Sequence, residues 1–305
     1  TITFPDKKYT QFFPHRDKVL IVNEKLGCFR FDVERARMGK QDSIVHFDSE
    51  VASYIQKHRN YCGTHLQNGN YAIGTISGGI IIFGPDGKIF RIINKYRGLP
   101  GRIVFSLHQN RSGSLWATLN GLISHIDIHS PISKFNELNG LEASLLNVTR
   151  YKGRLYIGDF TGLYYLESYQ PMVDEDKHFF IPVFIDESYW CSDILDDVLI
   201  AGGNSGIAGI DGSKILEKLH VTGTNYCLGK SKQYPGILFA GFGDPGGLKA
   251  IKITGKGESK TLTEDGSWDF SKITNDIRAI HGDPDVHLWL TTRYKGIIHI
   301  RFSDF

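Results

Sequence analysis

No run of this 305-residue chain stays apolar long enough to cross a bilayer as a helix. The longest, Tyr71 to Gly84, covers about fourteen residues and is interrupted by Gly, Thr and Ser, whereas a spanning helix needs roughly twenty. Charge of one sign is also scarce. The 35 Lys and Arg nearly balance the 33 Asp and Glu, for a net charge of +2, and they are scattered rather than clustered. That excludes an electrostatic nucleic-acid surface. Cysteine is limited to Cys28, Cys62, Cys191 and Cys227, without metal-ligand spacing or a short disulfide framework. Three of the four fall inside apolar strand patterns, where a thiol behaves as a small core hydrophobe.

The motifs of cofactor and catalytic chemistry are missing too. There is no phosphate-cradling Gly-x-x-x-x-Gly-Lys-Ser/Thr, no dinucleotide fingerprint, no Gly-x-Ser-x-Gly elbow and no His-Glu-x-x-His. The glycine-rich stretches Gly202–Gly206 and Gly241–Gly247 lie between strands rather than before helices, so they read as turns. The carboxylate runs at Asp193–Asp197 and Asp174–Asp176 lack the spacing of a calcium loop. No cofactor, metal or catalytic residue is expected. The chain opens at Thr1 without an initiating Met or a leader, and we expect a processed chain or a piece of a longer one.

What the chain does have is turn and strand formers: 34 Gly, 10 Pro, 12% aromatic residues and 41% hydrophobic residues. They are arranged as a repeat of one β-run, a polar gap, a Gly and a second β-run. Successive copies place that Gly at Gly27, Gly79, Gly121, Gly162, Gly206, Gly247 and Gly296, spaced 52, 42, 41, 44, 41 and 49 residues apart. A period of about 40 to 45 residues built from short strands predicts a β-propeller of four-stranded blades. A helical repeat fails because the apolar runs are only four to six residues long, β-branched or aromatic, and no 3.6-period stretch of ten residues stands out.

The expected fold is therefore all-β: one seven-bladed propeller domain over residues 1–305, of four-stranded antiparallel blades. Inner strands are predicted at Thr10–Phe13, Tyr61–Leu66, Ile103–His108, Asn147–Arg150, Tyr189–Asp193, Asn225–Lys230 and Ile277–His281. Outer strands are predicted at Ile44–Phe47, Lys88–Ile93, Ile132–Phe135, Phe179–Phe184, Ile215–Leu219 and Lys260–Thr263. The seventh blade lacks an outer strand of its own, and Thr1–Phe4 is expected to supply it and close the ring. Asp32–Gln41 reads as a charged insertion that lengthens the first spacing. The repeated Gly has a local reason, because a tight link between second and third strands calls for a backbone φ that only Gly adopts freely.

The best copy reads Leu99-Pro100-Gly101, Ile103–His108, Asn110 to Gly113, Leu115-Trp116, Thr118 and Gly121-Leu122. It resembles the two-component regulator propeller repeat. Tyr156-Ile157-Gly158 with Gly162-Leu163, and Trp289-Leu290-Thr291-Thr292, match its second half, while Ala72, Ile200 and Phe239 replace the Trp in weaker copies. The resemblance implies the extracytoplasmic, periplasmic sensing part of a bacterial sensor histidine kinase, often a hybrid one. Such modules detect sugars or polysaccharide fragments and are followed by an immunoglobulin-like domain, a membrane helix and the kinase, which can dimerise. None of those parts is in this sequence. The resemblance implies a non-catalytic sensor module, with any kinase activity outside the chain.

Two readings compete with sensing: a propeller lyase or glycan-processing enzyme, and a protein-binding scaffold. Propeller lyases use a catalytic His, and His108 and His281 occupy equivalent positions, each eight residues before a Trp. Both fall at the far end of their strands, and packing between blades is the expected role. Trp116 is expected to anchor the core. The ligand face is expected where second-to-third-strand turns meet outer-to-inner loops. A sugar needs planar hydrogen-bonding groups and an aromatic ring under its apolar face. Arg97, Asn120, Asp159, Trp190, Arg293 and Tyr294 have those chemistries and are the candidate ligand-binding residues for an oligosaccharide or other small ligand.

Overall fold

The computed structural model describes residues 10–15, 18–40, 42–130, 135–167, 180–185, 187–243, 245–283 and 287–302. Its strands form seven antiparallel sheets, six of them hydrogen-bonded in sequence order as a simple meander and the fifth departing from it only at its last two short strands. The first comprises Thr10–His15, Lys18–Asn23, Gly27–Asp32 and Ile44–Phe47. The second comprises Asn60–His65, Tyr71–Thr75, Ile80–Phe83 and Ile89–Ile93. Three described strands, Val104–Gln109, Leu115–Leu119 and Leu122–Ile126, make the third. The fourth runs Leu145–Tyr151, Arg154–Asp159, Gly162–Leu166 and Phe180–Ile185. In the fifth, Tyr189–Leu195, Val198–Gly203 and Gly206–Asp211 are followed by two short strands, Lys214–Ile215 and Leu219–His220. Both of these pair with Gly206–Asp211, so the expected outer strand 215–219 is split. The sixth runs Asn225–Lys230, Leu238–Phe242, Gly247–Thr254 and Thr261–Glu264, and the seventh Ile277–Gly282, His287–Thr292 and Ile297–Arg301. The closing strand expected at Thr1–Phe4, and all but Phe135 of the outer strand expected at Ile132–Phe135, lie outside the described residues.

The chain divides into two compact units, one holding the first three sheets and the other the last four. In the first unit the leading strands of successive sheets, Thr10–His15, Asn60–His65 and Val104–Gln109, neighbour one another in that order. In the second, the leading strands from Leu145, Tyr189, Asn225 and Ile277 do the same. Apolar layers fill the space between sheets. Phe13, Leu20, Tyr71, Ile73 and Phe83 join the first to the second, while Ala72, Ile80, Ile82, Val104 and Leu115 join the second to the third. A sheet covered on both faces needs apolar residues at every position, and this explains the unbroken Ile80-Ile81-Ile82-Phe83 and Val198-Leu199-Ile200-Ala201.

Strand alternation also corrects the expectation for Trp116. Leu115, Ala117 and Leu119 point into the core, so Trp116 projects from the opposite face, where it is 42% exposed. His108 and His125 lie directly across from it on the two neighbouring strands, and Trp289 has His281 and His299 in the same places. His108 and His281 are thus exposed rather than packed.

A second correction concerns helices. Asp32 caps the short helix α1 (Val33–Arg37) in the charged insertion, accepting from the Arg35 N–H at 2.9 Å. A longer helix α2 (Glu50–His58) had no place in the strand-based reading. Ser49 caps it by accepting from Ala52 N, and Val51, Tyr54, Ile55 and His58 form one buried stripe at helical spacing. Its nine residues fall just below a ten-residue window. The long first spacing therefore comes from the charged insertion with its one short helix and from α2 after it.

The repeated glycines are in a left-handed or otherwise positive-φ backbone at six of the seven positions; at Gly27, for example, φ is 86°. Gly162 is the exception. It is required because a Cβ there would lie 2.4 Å from the Phe184 carbonyl oxygen.

Six of the seven leading strands carry a β-bulge at their second residue. The ladder skips Tyr61, Phe105, Leu146, Trp190, Tyr226 and Arg278, leaving each as the extra residue. In four of these strands the third residue then reaches sideways to the first residue of the next leading strand. The Cys62 thiol donates to the Val104 carbonyl at 3.5 Å, and the Asn147 amide to that of Tyr189 at 2.7 Å. Cys191 donates to the Asn225 carbonyl at 3.6 Å, and Cys227 to that of Ile277 at 3.8 Å. Gly74, Gly158, Gly202 and Gly241 on the second strands leave room for these side chains; a Cβ at Gly202 would sit 2.7 Å from the Cys191 sulfur.

Three of the four cysteines are therefore lateral ties between sheets. Burial pushes the Cys62 thiol up to about 11 and the Cys227 thiol up to about 12, and also raises Cys191 and Cys28. Nucleophilic thiolate is scarce when the thiol titrates so high. At pH 8 a thiol-specific reagent is expected to leave the native chain unmodified and to label four cysteines in urea. Rapid labelling of Cys62 or Cys227 in the native chain contradicts the ties.

Candidate functional site

The bulges determine which side chains reach the end of each sheet where the second-to-third-strand turn lies. A bulged residue leaves the alternation of its strand, so it can be aimed outward while its neighbours stay in the ladder. None of the six bulged residues is buried. In the second unit three of them, Trp190, Tyr226 and Arg278, form a continuous ladder with Phe160 from the second-to-third-strand turn of the fourth sheet. Trp190 is the centre of it, with Phe160 edge-on at 5.3 Å between ring centroids and Tyr226 edge-on at 5.1 Å on the other side. The Arg278 guanidinium then lies 3.7 Å above the Tyr226 ring. Four adjacent sheets thus contribute one planar group each.

Polar groups hold this ladder in place. The Trp190 indole N–H donates to Asn204 Oδ1 at 2.8 Å; Asn204 Nδ2 donates to Ser188 Oγ at 3.3 Å, and that hydroxyl donates to the Phe160 carbonyl at 3.1 Å. Glu187 braces the same turn, accepting from Ser205 N and Oγ, from the Tyr189 hydroxyl and from Lys218. Burial raises the carboxyl of Glu187, but these donors together outweigh it and hold the group below its ordinary range. At the other end Asp276 accepts from Arg278 Nη2 at 2.8 Å and faces Arg293 Nη1 at 3.9 Å. Arg293 in turn lies over the Tyr294 ring at 5.0 Å. The result is an amphipathic strip of aromatic faces and edges flanked by an amide, two guanidiniums and one carboxylate.

The six candidate residues are distributed unevenly around this strip. Trp190 is in it, and Arg293 and the 78% exposed Tyr294 flank it. Asp159 adjoins Phe160, but its side chain is fully buried, with Oδ1 accepting from Thr161 N at 2.6 Å, Thr161 Oγ1 at 2.8 Å and Gly162 N at 2.7 Å. It closes the turn, as Asn23 does in the first sheet. Arg97 and Asn120 belong to the first unit. Arg97 ends a one-turn 3-10 helix, donating from Nη1 to the Ile92 carbonyl at 3.1 Å, and Asn120 is exposed in the turn before Leu122.

Phe160, Tyr226, Asp276 and Arg278 were missed. A signal for Tyr226 was present, since Tyr61-Cys62, Trp190-Cys191 and Tyr226-Cys227 repeat an aromatic residue before a thiol at the same place in three copies. The thiol marks the tie and the aromatic residue marks the bulge. Arg278 has Ala279 after it and carries no such mark.

Among the described residues, the His–carboxylate contact is His287 Nδ1 to Asp283 at 3.7 Å, with His299 Nε2 2.9 Å from the same His287 nitrogen. It sits where the first and second strands of the seventh sheet turn, at the end opposite Arg278 and Arg293. No trio of His, Cys, Asp or Glu among the described residues is arranged to hold a metal ion, and no described helix is long and apolar enough to cross a membrane.

No protein-family model and no curated protein matches the chain. Similar solved structures include the extracellular domain of BT4673 from B. thetaiotaomicron, described as a one component system. It is 20% identical over 95% of this chain and 38% of that one, with a TM-score of 0.39. The extracellular domain of BT3049 from the same organism, described as a hybrid two component system, is 13% identical over 97% of this chain and 46% of that one, with a TM-score of 0.30. PorZ, a surface component of the type-IX secretion system of Porphyromonas gingivalis, is 14% identical over 99% of this chain and 48% of that one, with a TM-score of 0.39. The chain spans less than half the length of each of these.

Proposed function

We propose that this chain is a non-catalytic, ligand-sensing β-propeller from the extracytoplasmic part of a bacterial two-component receptor, and that it binds an oligosaccharide along the Phe160–Trp190–Tyr226–Arg278 ladder. Seven copies of one meander, with leading strands side by side within each unit, support seven blades in a ring. The Leu99–Leu122 repeat supports the receptor family. The ladder carries the functional reading. Four adjacent sheets each place one planar group at the same end, and the hydrogen bonds around Trp190 and Arg278 order those groups before any ligand arrives. Preordered aromatic surface with amide and guanidinium donors beside it matches the alternating C–H faces and hydroxyl edges of pyranose rings.

The experiment is a thermal-shift screen of the chain against neutral and acidic oligosaccharides. A saccharide present at a hundred times its dissociation constant adds about 2.7 kcal/mol to the stability of the unit it binds. At least one oligosaccharide is expected to raise the melting temperature by several degrees. If no saccharide does so while a protein partner does, the scaffold reading replaces this one.

A further inference from the structure

A separate cleft of about 240 Å³ opens in the first unit, and none of the bulged residues of the leading strands lines it. Asn68 and Asn70 in the turn between the first two strands of the second sheet line one side. Phe90 and Arg91 on that sheet's outer strand, and Ile128 and His129 beyond the last described strand of the third sheet, line the rest. Arg91 ties the two sheets together by donating from Nη1 to the Ile128 carbonyl at 2.9 Å. Phe90 is the extra residue of a bulge in that outer strand, skipped between Ile89 and Arg91, and 53% of it is exposed while Ile89, Ile92 and Ile93 are buried.

The unused hydrogen-bonding capacity of the cleft is considerable. One guanidinium nitrogen of Arg91 is engaged, leaving the rest of a five-donor fork. Asn68 Oδ1 accepts from Asn70 N at 3.1 Å, but its NH₂ has no partner among the described residues, nor does the Asn70 amide. His129 uses its backbone N–H on Asp127 at 3.0 Å, and its ring is unengaged among those residues. The lining thus combines a cation suited to a planar carboxylate, two amides suited to hydroxyls, and an aromatic wall suited to an apolar ring face. Arg91 and His129 are its titratable lining residues among those described.

We infer that this cleft is a second ligand site and that it takes a small hydroxylated carboxylate of the size of a hexuronic acid. Arg91 and His129 hold the carboxylate, the two amides hold the hydroxyls, and Phe90 covers the ring. The site is independent of the ladder, which lies in the other unit.

Calorimetric titration of the intact chain with D-glucuronate, and with D-glucose as the uncharged control, tests it. D-glucuronate is expected to bind saturably with a dissociation constant below about 1 mM, and D-glucose at least about tenfold more weakly. Asn70→Ala and Phe90→Ala, both at surface positions that leave the Arg91 tie intact, are each expected to weaken D-glucuronate about tenfold. Trp190→Ala is expected to leave it unchanged. Absence of saturable binding, equal binding of the two sugars, or indifference to both cleft substitutions overturns the inference. Loss of D-glucuronate binding in Trp190→Ala alone assigns that ligand to the ladder and overturns it too. Apart from that last result, none of these outcomes bears on whether oligosaccharides bind the ladder.

Discussion

Gly202→Ala is expected to destabilise the second unit by about 3 to 5 kcal/mol. The Cβ would stand 1.9 Å from Asn225 Oδ1 and 2.7 Å from the Cys191 sulfur. Neither neighbour can move cheaply. Asn225 is fully buried, its amide donates to the Cys227 carbonyl at 3.2 Å and the Gly241 carbonyl at 3.0 Å, and its Oδ1 accepts from the Cys191 thiol at 3.2 Å. Relief of the clash therefore breaks buried hydrogen bonds that span the fifth and sixth sheets, so overpacking and unsatisfied polar groups add together. The control is Gly236→Ala, where nothing lies within 4 Å of the added methyl. Urea unfolding monitored by Trp fluorescence should show a large drop in midpoint for Gly202→Ala and almost none for Gly236→Ala. Equal midpoints would mean that the lateral tie between these sheets is not structural.

Trp190→Ala is expected to weaken the oligosaccharide bound at the ladder by about 30-fold, corresponding to about 2 kcal/mol. Trp190 contacts both Phe160 and Tyr226, so its removal takes away one stacking surface and the support of two others. It also frees Asn204, whose Oδ1 accepts from the indole. The backbone should be spared, because the bulge is held by Tyr189 and Cys191 on either side, which pair with Gly203 and Gly202. Phe160→Ala in the Trp190→Ala background should then cost less than it does alone, since neighbours in one network are not additive. Full affinity in Trp190→Ala would place the ligand elsewhere.

Much of this arrangement was legible before any coordinates. All seven leading strands were placed within two residues of their starts, and Asn225–Lys230 at both ends, because short apolar runs between Gly and Asx turns have few alternatives. Trp190 was placed at the turn end because it follows a loop that topology assigns to that end. What escaped is what does not follow strand alternation. A bulge inserts one residue without changing composition, so period-two reasoning puts Tyr226 and Arg278 in the ladder rather than out of it. Trp116 was misassigned for the converse reason. A motif tryptophan is apolar enough for either face, and only the pairing of Leu115, Ala117 and Leu119 with the core decides which. Asp159 illustrates a third limit: a carboxylate in a turn can serve a ligand or the turn itself, and three short hydrogen bonds within residues 159–162 show that Oδ1 serves the turn.

The claim at the centre of this account is that the bulged residues of the leading strands form the ligand surface. Its most direct measurement is a calorimetric titration of the wild-type chain and of Tyr226→Ala with the oligosaccharide that gives the largest thermal shift. Tyr226 touches Trp190 on one side and carries Arg278 on the other, so it links the aromatic and the cationic parts of the strip. The account predicts saturable binding to wild type and an affinity at least about tenfold lower in Tyr226→Ala, with the melting temperature of the free protein nearly unchanged. Superimposable isotherms for the two proteins would contradict it.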